Sequence, residues 1–244
     1  MKNILGKREL SKLGEFVTPD TLVAFDFDGT LAPLARDPRA AQLRKSTARL
    51  LGRIAERYPT AVISGRPRAD VLARLSGARV RAVVGNHGIE PSPDAPRYHA
   101  LVKEWMPKLR EALKDLQGIE LENKLYSLTI HYRRSRAKTR ARAVIDEALK
   151  QLNEARVIEG RLLVNVLPAN APNKSSALTN LRELLNAEHA VFIGDDLSAE
   201  EVFAKHQEQV LGIRVGRATG SNASHYLAKQ ADIDSLLKRL LELQ

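Results

Sequence analysis

The chain has 244 residues, 43% of them hydrophobic and 28% charged, with 14 Gly, 11 Pro and no Cys. That balance excludes disordered, collagenous and low-complexity chains, and the missing cysteines exclude a disulfide scaffold, a thiolate metal site and a cysteine nucleophile. A formal net charge of +10 directs attention to phosphorylated, anionic or nucleic-acid partners. No run of about 18 apolar residues is long enough to span a membrane, and residues 1–20 intersperse charges where a signal peptide would be apolar, so a cytoplasmic protein with no membrane partner is expected.

Residues 1–18 hold an apolar pattern too short to fix a helix. Leu22-Val23-Ala24-Phe25 is a short apolar run stopped by Asp26-Phe27-Asp28-Gly29-Thr30, which predicts a buried strand. A helical stretch over about 41–56 carries Leu43, Leu50, Leu51 and Ile54 on one side. Ala61-Val62-Ile63 then halts at Ser64-Gly65, a further helical stretch reaches about Leu75, and Ala82-Val83-Val84 stops at Gly85-Asn86-His87-Gly88. Strands alternating with helices predict βαβ units and a parallel sheet, whose carboxyl-end loops form the ligand crevice.

The pattern then changes. A helix over about 97–116 precedes a hairpin, 119–122 and 126–133, in which the period is two. Tyr126, Leu128, Ile130 and Tyr132 fall on one face, and Ser127, Thr129, His131 and Arg133 on the other, with Glu120 and Glu122 polar on the partner strand. A helix over about 136–152 and strands near 156–159 and 162–167 complete a helix, two strands, helix, two strands unit. The parallel pattern resumes with a helix over about 175–185, the strand Ala190-Val191-Phe192-Ile193, the loop Gly194-Asp195-Asp196, a helix near 199–205, a strand over 210–215, and helical residues from about 221 to the end. The expected architecture is α/β, a Rossmann-like parallel-sheet core over 1–92 and 166–244 interrupted by an α+β insert over 93–165.

Asp26 and Asp28 lie two apart on an extended segment, so both carboxylates point the same way with Phe27 opposite. Paired carboxylates suit a hard divalent cation such as Mg²⁺, which takes oxygen ligands, and one of them could attack phosphorus; the bland alternative is a polar strand stop. Asp26-Phe-Asp-Gly-Thr-Leu31 resembles the first motif of the haloacid dehalogenase superfamily of phosphotransferases. Ser64, Lys174 in Asn-Lys-Ser-Ser-Ala-Leu, and Gly194-Asp195-Asp196 are similar to its three further motifs, in order. The resemblance implies Asp26 as nucleophile, Asp28 as general acid and base, Ser64 and Lys174 on the phosphoryl oxygens, and Mg²⁺ held by Asp26, the backbone carbonyl of Asp28 and Asp195, with Asp196 on Lys174 or a metal-bound water. A phospho-accepting receiver domain also uses Asp, Asp and Lys, but is about half this length and lacks the insert.

Ser64-Gly65-Arg66, Gly85-Asn86-His87-Gly88-Ile89-Glu90, and Glu122-Asn-Lys124-Leu-Tyr-Ser127-Leu-Thr-Ile-His131-Tyr-Arg133 resemble the trehalose-6-phosphate phosphatases over nearly the whole chain. That likeness implies hydrolysis of trehalose 6-phosphate under a cap that closes over the core. Gly29, Thr30, Arg66, Asn86, His87, Glu122, Lys124, Ser127, His131, Arg133 and Asn165 would contact the substrate. Three positions depart from the family pattern: Ala199 stands for a carboxylate, Asn165 for a sugar-contacting Glu, and Ser175 for Gly, so another sugar phosphate is the alternative substrate. Six cations between Arg133 and Arg142 raise nucleic-acid binding as a minor alternative, against which stand 5% aromatics and no accompanying motif. Residues 96–162 carry 15 Lys and Arg against 9 Asp and Glu, concentrating the positive excess on the insert. A monomer is expected.

Overall fold

The computed structural model describes residues 1–35, 37–205 and 208–243, and the chain forms two compact units, Met1–Gly88 with Asn173–Gln244, and Ile89–Pro172. In chain order the first unit runs β1 (Lys2–Asn3), α1 (Lys7–Phe16), β2 (Leu22–Phe25), α2 (Lys45–Arg57), β3 (Thr60–Ile63), α3 (Arg68–Arg74) and β4 (Ala82–Val84). The second holds α4 (Ala95–Leu113), β5 (Glu120–Asn123), β6 (Leu128–His131), α5 (Lys138–Lys150), β7 (Ala155–Gly160) and β8 (Leu163–Pro168). The first then resumes with α6 (Lys174–Leu184), β9 (Ala190–Gly194), α7 (Leu197–Lys205), β10 (Val210–Val215), β11 (His225–Leu227) and α8 (Ile233–Glu242).

The first unit is a seven-stranded sheet, ordered β1-β11-β10-β9-β2-β3-β4, with every pairing parallel. Parallel strands are covered on both faces, which is why β2, β3 and β9 read as unbroken apolar runs. Val23, Phe25, Val62 and Ile193 pack on one side with Leu51 and Ile54 of α2 and Leu236, Leu237 and Leu240 of α8. Leu22, Ala24, Ile63 and Phe192 pack on the other with Leu178 of α6 and Val202 of α7. From β2 the chain builds outward to β3 and β4 on one side, while β9 and β10 lie on the other. The order therefore reverses beside β2, the place where open parallel sheets present a ligand site at their carboxyl ends.

One expectation is corrected in this unit, and the unread leader is resolved. The stretch from about 221 is not helical at its start: β11 pairs with β10 and β1, and the helix begins at Ile233. A three-residue strand is too short to show a period, and its neighbours are distant in sequence. The leader is likewise organised by tertiary contact: Ile4 and Leu13 are in the core, and buried Glu9 of α1 meets His225 Nε2 of β11 at 3.0 Å.

The second unit is a four-stranded antiparallel sheet, β5-β6-β8-β7, one face of which is covered by α4 and α5. Leu128, Ile130, Val164 and Val166 meet Trp105, Leu109 and Ile145, and the Trp105 indole satisfies its N–H on the Asn153 carbonyl at 3.1 Å. Register sets the other face: Glu122 lies opposite Thr129, Thr129 opposite Asn165, and Asn165 opposite Ile158. The chain passes between units at 88/89 and 172/173, outside the expected 92/93 and 165/166, because Ile89 packs with Tyr98 and Leu167, and β8 runs on to Pro168. Arg133 was expected on the strand face; β6 ends at His131 and Arg133 lies in the following turn. Tyr126 was expected beside Leu128 and Ile130, but sits before the strand and packs with Ile158 and Leu167 instead.

Candidate active site

Three adjacent strands deliver the motifs. Asp26 follows β2, and its N–H continues the ladder to the Ile193 carbonyl of β9 at 2.8 Å; Ser64 follows β3, donating its N–H to the Val84 carbonyl of β4 at 2.9 Å. Asp195 and Asp196 follow β9. Lys174 opens α6, a helix capped by Asn173, whose side chain accepts the Ser176 N–H at 2.8 Å. The Lys174 ammonium, wholly buried, is hydrogen-bonded to Asp26 Oδ2 and lies 3.2 Å from Asp196 Oδ1. Asp26 Oδ1 accepts the Phe27 N–H at 2.6 Å.

Residues 28–32 fold back tightly, with the Gly29 N–H on the Ala32 carbonyl at 2.8 Å. Gly29 has φ +73°, and a Cβ there would overlap the Asp195 carboxylate, so only glycine gives both the turn and the close approach. Thr30 Oγ1 donates to Asp195 Oδ1 at 3.1 Å. Asp196 accepts the Ala199 N–H at 2.9 Å, and Ser198 Oγ lies 2.8 and 2.7 Å from its two oxygens. Ala199, where the resemblance implies a carboxylate, is buried and directed at Gly194. Asn86 and His87 lie in the left-handed region after β4 and bond back by their N–H groups to the carbonyls of Arg66 (2.7 Å) and Ser64 (2.9 Å). This draws the Ser64 and His87 loops together, with the imidazole against Gly65.

Three carboxylates converge on one ammonium, and their titration shows it. Burial pushes the Asp26 carboxyl well up; Lys174 opposes this, and Asp196 and Asp195 add to it. Asp195 is pushed up to about 7 by burial and by Asp196. Burial also acts to raise Asp196, but Lys174, Ser198, His87 and the Ala199 N–H hold it down at about 2. Lys174 stays protonated against its burial because Asp196 and Asp26 face it. No group of three or more His, Cys, Asp or Glu side chains is arranged as a metal cage among the described residues. The oxygen-only donor set of Asp26 and Asp195, short of positive charge, nevertheless fits a hard cation that fills most of its shell with water and substrate oxygens.

Arg66 is brought to the site in an unexpected way. Its Nε and Nη2 donate to the two Asp28 oxygens at 2.6 and 2.8 Å. Its Nη1 donates to Asp70 at 2.7 Å, a residue missed in the sequence although the spacing 66, 70, 74 of Arg, Asp and Arg was there to find.

In the second unit, Glu122, Ser127, His131 and Asn165 fall together on and beside β5, β6 and β8, with Lys124 in the intervening turn. His131 Nε2 and Glu122 Oε2 are 2.7 Å apart. Asn165 is buried and used within the sheet: its Oδ1 accepts from Thr129 Oγ1 at 2.8 Å and its Nδ2 lies 3.5 Å from the Ile158 carbonyl. The basic run is partly neutralised, since Arg142 pairs with Asp146 and Glu159; Lys138 donates to the Ser135 carbonyl and keeps its charge. No described helix is long and apolar enough to cross a membrane.

Residues 24–234 match the family model described as trehalose-phosphatase. The chain is 28% identical over 239 residues to the probable trehalose-phosphate phosphatase 4 of Oryza sativa subsp. japonica, covering 89% of this chain and 65% of that protein. It is 31% identical over 225 residues to the trehalose-phosphate phosphatase of Mycobacterium tuberculosis, covering 81% of this chain and 57% of that protein. The chain thus spans less than two thirds of the length of these relatives. Among solved structures it resembles the C-terminal domain of the trehalose-6-phosphate phosphatase of C. albicans, with a TM-score of 0.84 at 20% identity over 100% of this chain and 99% of that one, a likeness of fold.

Proposed function

The chain belongs to the trehalose-phosphatase family, and from that premise we propose that it hydrolyses trehalose 6-phosphate to trehalose and phosphate through an aspartyl-phosphate. The observation that carries this is Lys174: a wholly buried ammonium bonded to Asp26 and Asp196 is costly to build unless it serves an anion arriving at the same place. Asp26 attacks phosphorus as its carboxylate, the P–O bond to the sugar breaks, and Asp28 gives its proton to the departing sugar oxygen. In the second half Asp28 takes a proton from water, whose oxygen attacks phosphorus and returns Asp26. Ser64 and Lys174 bond the phosphoryl oxygens, and Asp196 keeps Lys174 aimed. Arg66 donates to both Asp28 oxygens and so fixes where that carboxyl group stands for the two proton transfers.

Asp26, Asp195 and the backbone carbonyl of Asp28 are the groups that would hold Mg²⁺, which when bound supplies charge neutralisation to the transferring phosphoryl group. Glu122, Lys124, Ser127 and His131 are assigned to the sugar hydroxyls. Asn165 favours a second reading, another glycoside phosphate, because its amide is committed to Thr129 and Ile158 where the family places a sugar-contacting Glu. Phosphate release from a panel of sugar phosphates, with and without Mg²⁺, separates the two. Preference for trehalose 6-phosphate over glucose 6-phosphate by tenfold or more in kcat/KM, about 1.4 kcal/mol, is the expected result; equal rates would leave only a general sugar phosphatase.

A further inference from the structure

The arginine that orients Asp28 is itself held from behind. Asp70, in the first turn of α3, accepts Arg66 Nη1 on one oxygen at 2.7 Å and Arg74 Nε on the other at 2.8 Å. Arg74 Nη1 in turn donates to the carbonyls of Arg39 at 2.9 Å and Ala41 at 2.6 Å, tying the frame to the segment before α2. The Arg66 fork also reaches the Pro38 carbonyl at 2.5 Å, and its guanidinium carbon lies 5.6 Å from the centre of the Phe27 ring. The Arg66 and Arg74 side chains are 11% and 17% exposed. Two arginines and two aspartates therefore alternate from Asp28 to Arg74 as a neutral chain, the arginines enclosed and the two aspartates 33% exposed.

An arginine fork has one plane, and fixing Nη1 fixes where Nε and Nη2 point. With Asp70 in place, the guanidinium presents its other edge to the two Asp28 oxygens. We propose that Asp70 is a positioning residue for the phosphatase reaction: braced by Arg74, it sets the Arg66 plane and through it the Asp28 carboxylate that moves the proton. This rests on the role given to Asp28 above. A purely structural Asp70, serving the amino end of a seven-residue helix, would contribute to stability and leave the chemical step alone.

Asp70→Asn keeps the shape and loses the charge. The expected result is a drop in kcat of about tenfold on the best sugar phosphate of the panel, with KM within about twofold, because displacement of a proton-transfer group by a fraction of an ångström is felt in the transition state. Asp70→Glu, which retains the carboxylate, should recover part of that loss. Arg74→Lys, which keeps the charge and loses the fork, should lower kcat about threefold and serves as the second arm if Asp70→Asn melts early. In an Arg66→Lys background, adding Asp70→Asn should cost less than about twofold more, since the plane it sets is gone. Unchanged kcat in Asp70→Asn and Arg74→Lys, or losses that multiply in the double variant, would overturn the positioning role. An unsubstituted chain inactive on every sugar phosphate would overturn the phosphatase assignment first, and is seen before any variant is made.

Discussion

The two polar clusters of the molecule are built by opposite means. The carboxylate cluster joins residues 148 and 165 positions apart at the carboxyl ends of neighbouring parallel strands, and it is enclosed, with Lys174 fully buried and Asp26 at 4% exposure. The polar face of the second unit is local: Glu122 and His131 are nine residues apart across a hairpin, and their side chains stay 41% and 22% exposed. Burial turns the first into a cluster of shifted carboxyls under tension, whereas the second stays partly in solvent. Residues that carry out bond-breaking need the former, and residues that select a ligand by its hydroxyls tolerate the latter. Asp26→Asn tests the contrast at its strongest. Turnover should fall by about 10³-fold or more, the order seen when a nucleophile is removed, while the melting temperature holds or rises, because a neutral amide relieves a carboxyl that burial and two neighbouring aspartates already disfavour. Near-normal turnover would remove Asp26 as nucleophile.

Legibility followed the same division. Asp26, Ser64 and Asp195 could be read from the sequence because a buried parallel strand is an apolar run, and where it stops the polar residue must stand at the crevice. The alternation that put Thr129 and His131 on one face and Leu128 and Ile130 on the other survives in β6, a strand covered by helices on one side only. What could not be read is what distant partners do. β11 acquires its strand geometry from β10 and β1, the Glu9–His225 contact spans 216 positions, and the Arg66 fork turns to Asp28 instead of standing free. Asn165 is the clearest case: the residue type suggests a ligand for sugar, but register places it opposite Thr129, which takes its carbonyl oxygen.

The next effect is a pH dependence confined to the enclosed cluster. Asp195 titrates at about 7 in the folded chain against 3.8 for an ordinary Asp, raised by burial and by Asp196. A raised carboxyl binds its proton more tightly folded than unfolded, so its contribution to stability is whole below about pH 4 and is lost as pH climbs to about 7. Measured without divalent cation, the melting temperature should fall by several degrees between pH 5 and pH 8, corresponding to a few kcal/mol. Asp195→Asn should flatten that part of the slope, and Mg²⁺ should reverse it at pH 8 more than at pH 5, since a cation binds the carboxylate and competes with the proton. A profile identical in the variant would mean that Asp195 is not the group responsible.

The smallest effect belongs to the partly exposed Glu122–His131 pair, and it decides what the polar face is for. A half-exposed His–Glu pair contributes under about 1 kcal/mol to folding, because solvent screens it and two side chains must be ordered to form it. His131→Ala should therefore leave the melting temperature within about 2 °C. If the face takes sugar hydroxyls, losing one neutral hydrogen bond of about 1 kcal/mol raises KM by roughly fivefold. kcat should stay within about twofold, because the imidazole is spent on ground state and transition state alike. Glu122→Gln, which keeps the shape and one acceptor, should raise KM less than His131→Ala. Unchanged KM in both variants would make this a solvated outer face of the sheet, and the choice of sugar would then lie with residues on the loops of the first unit, Asn86 and His87 before others, which bond to the Arg66 and Ser64 backbone and so stand beside Ser64, proposed above to bind a phosphoryl oxygen.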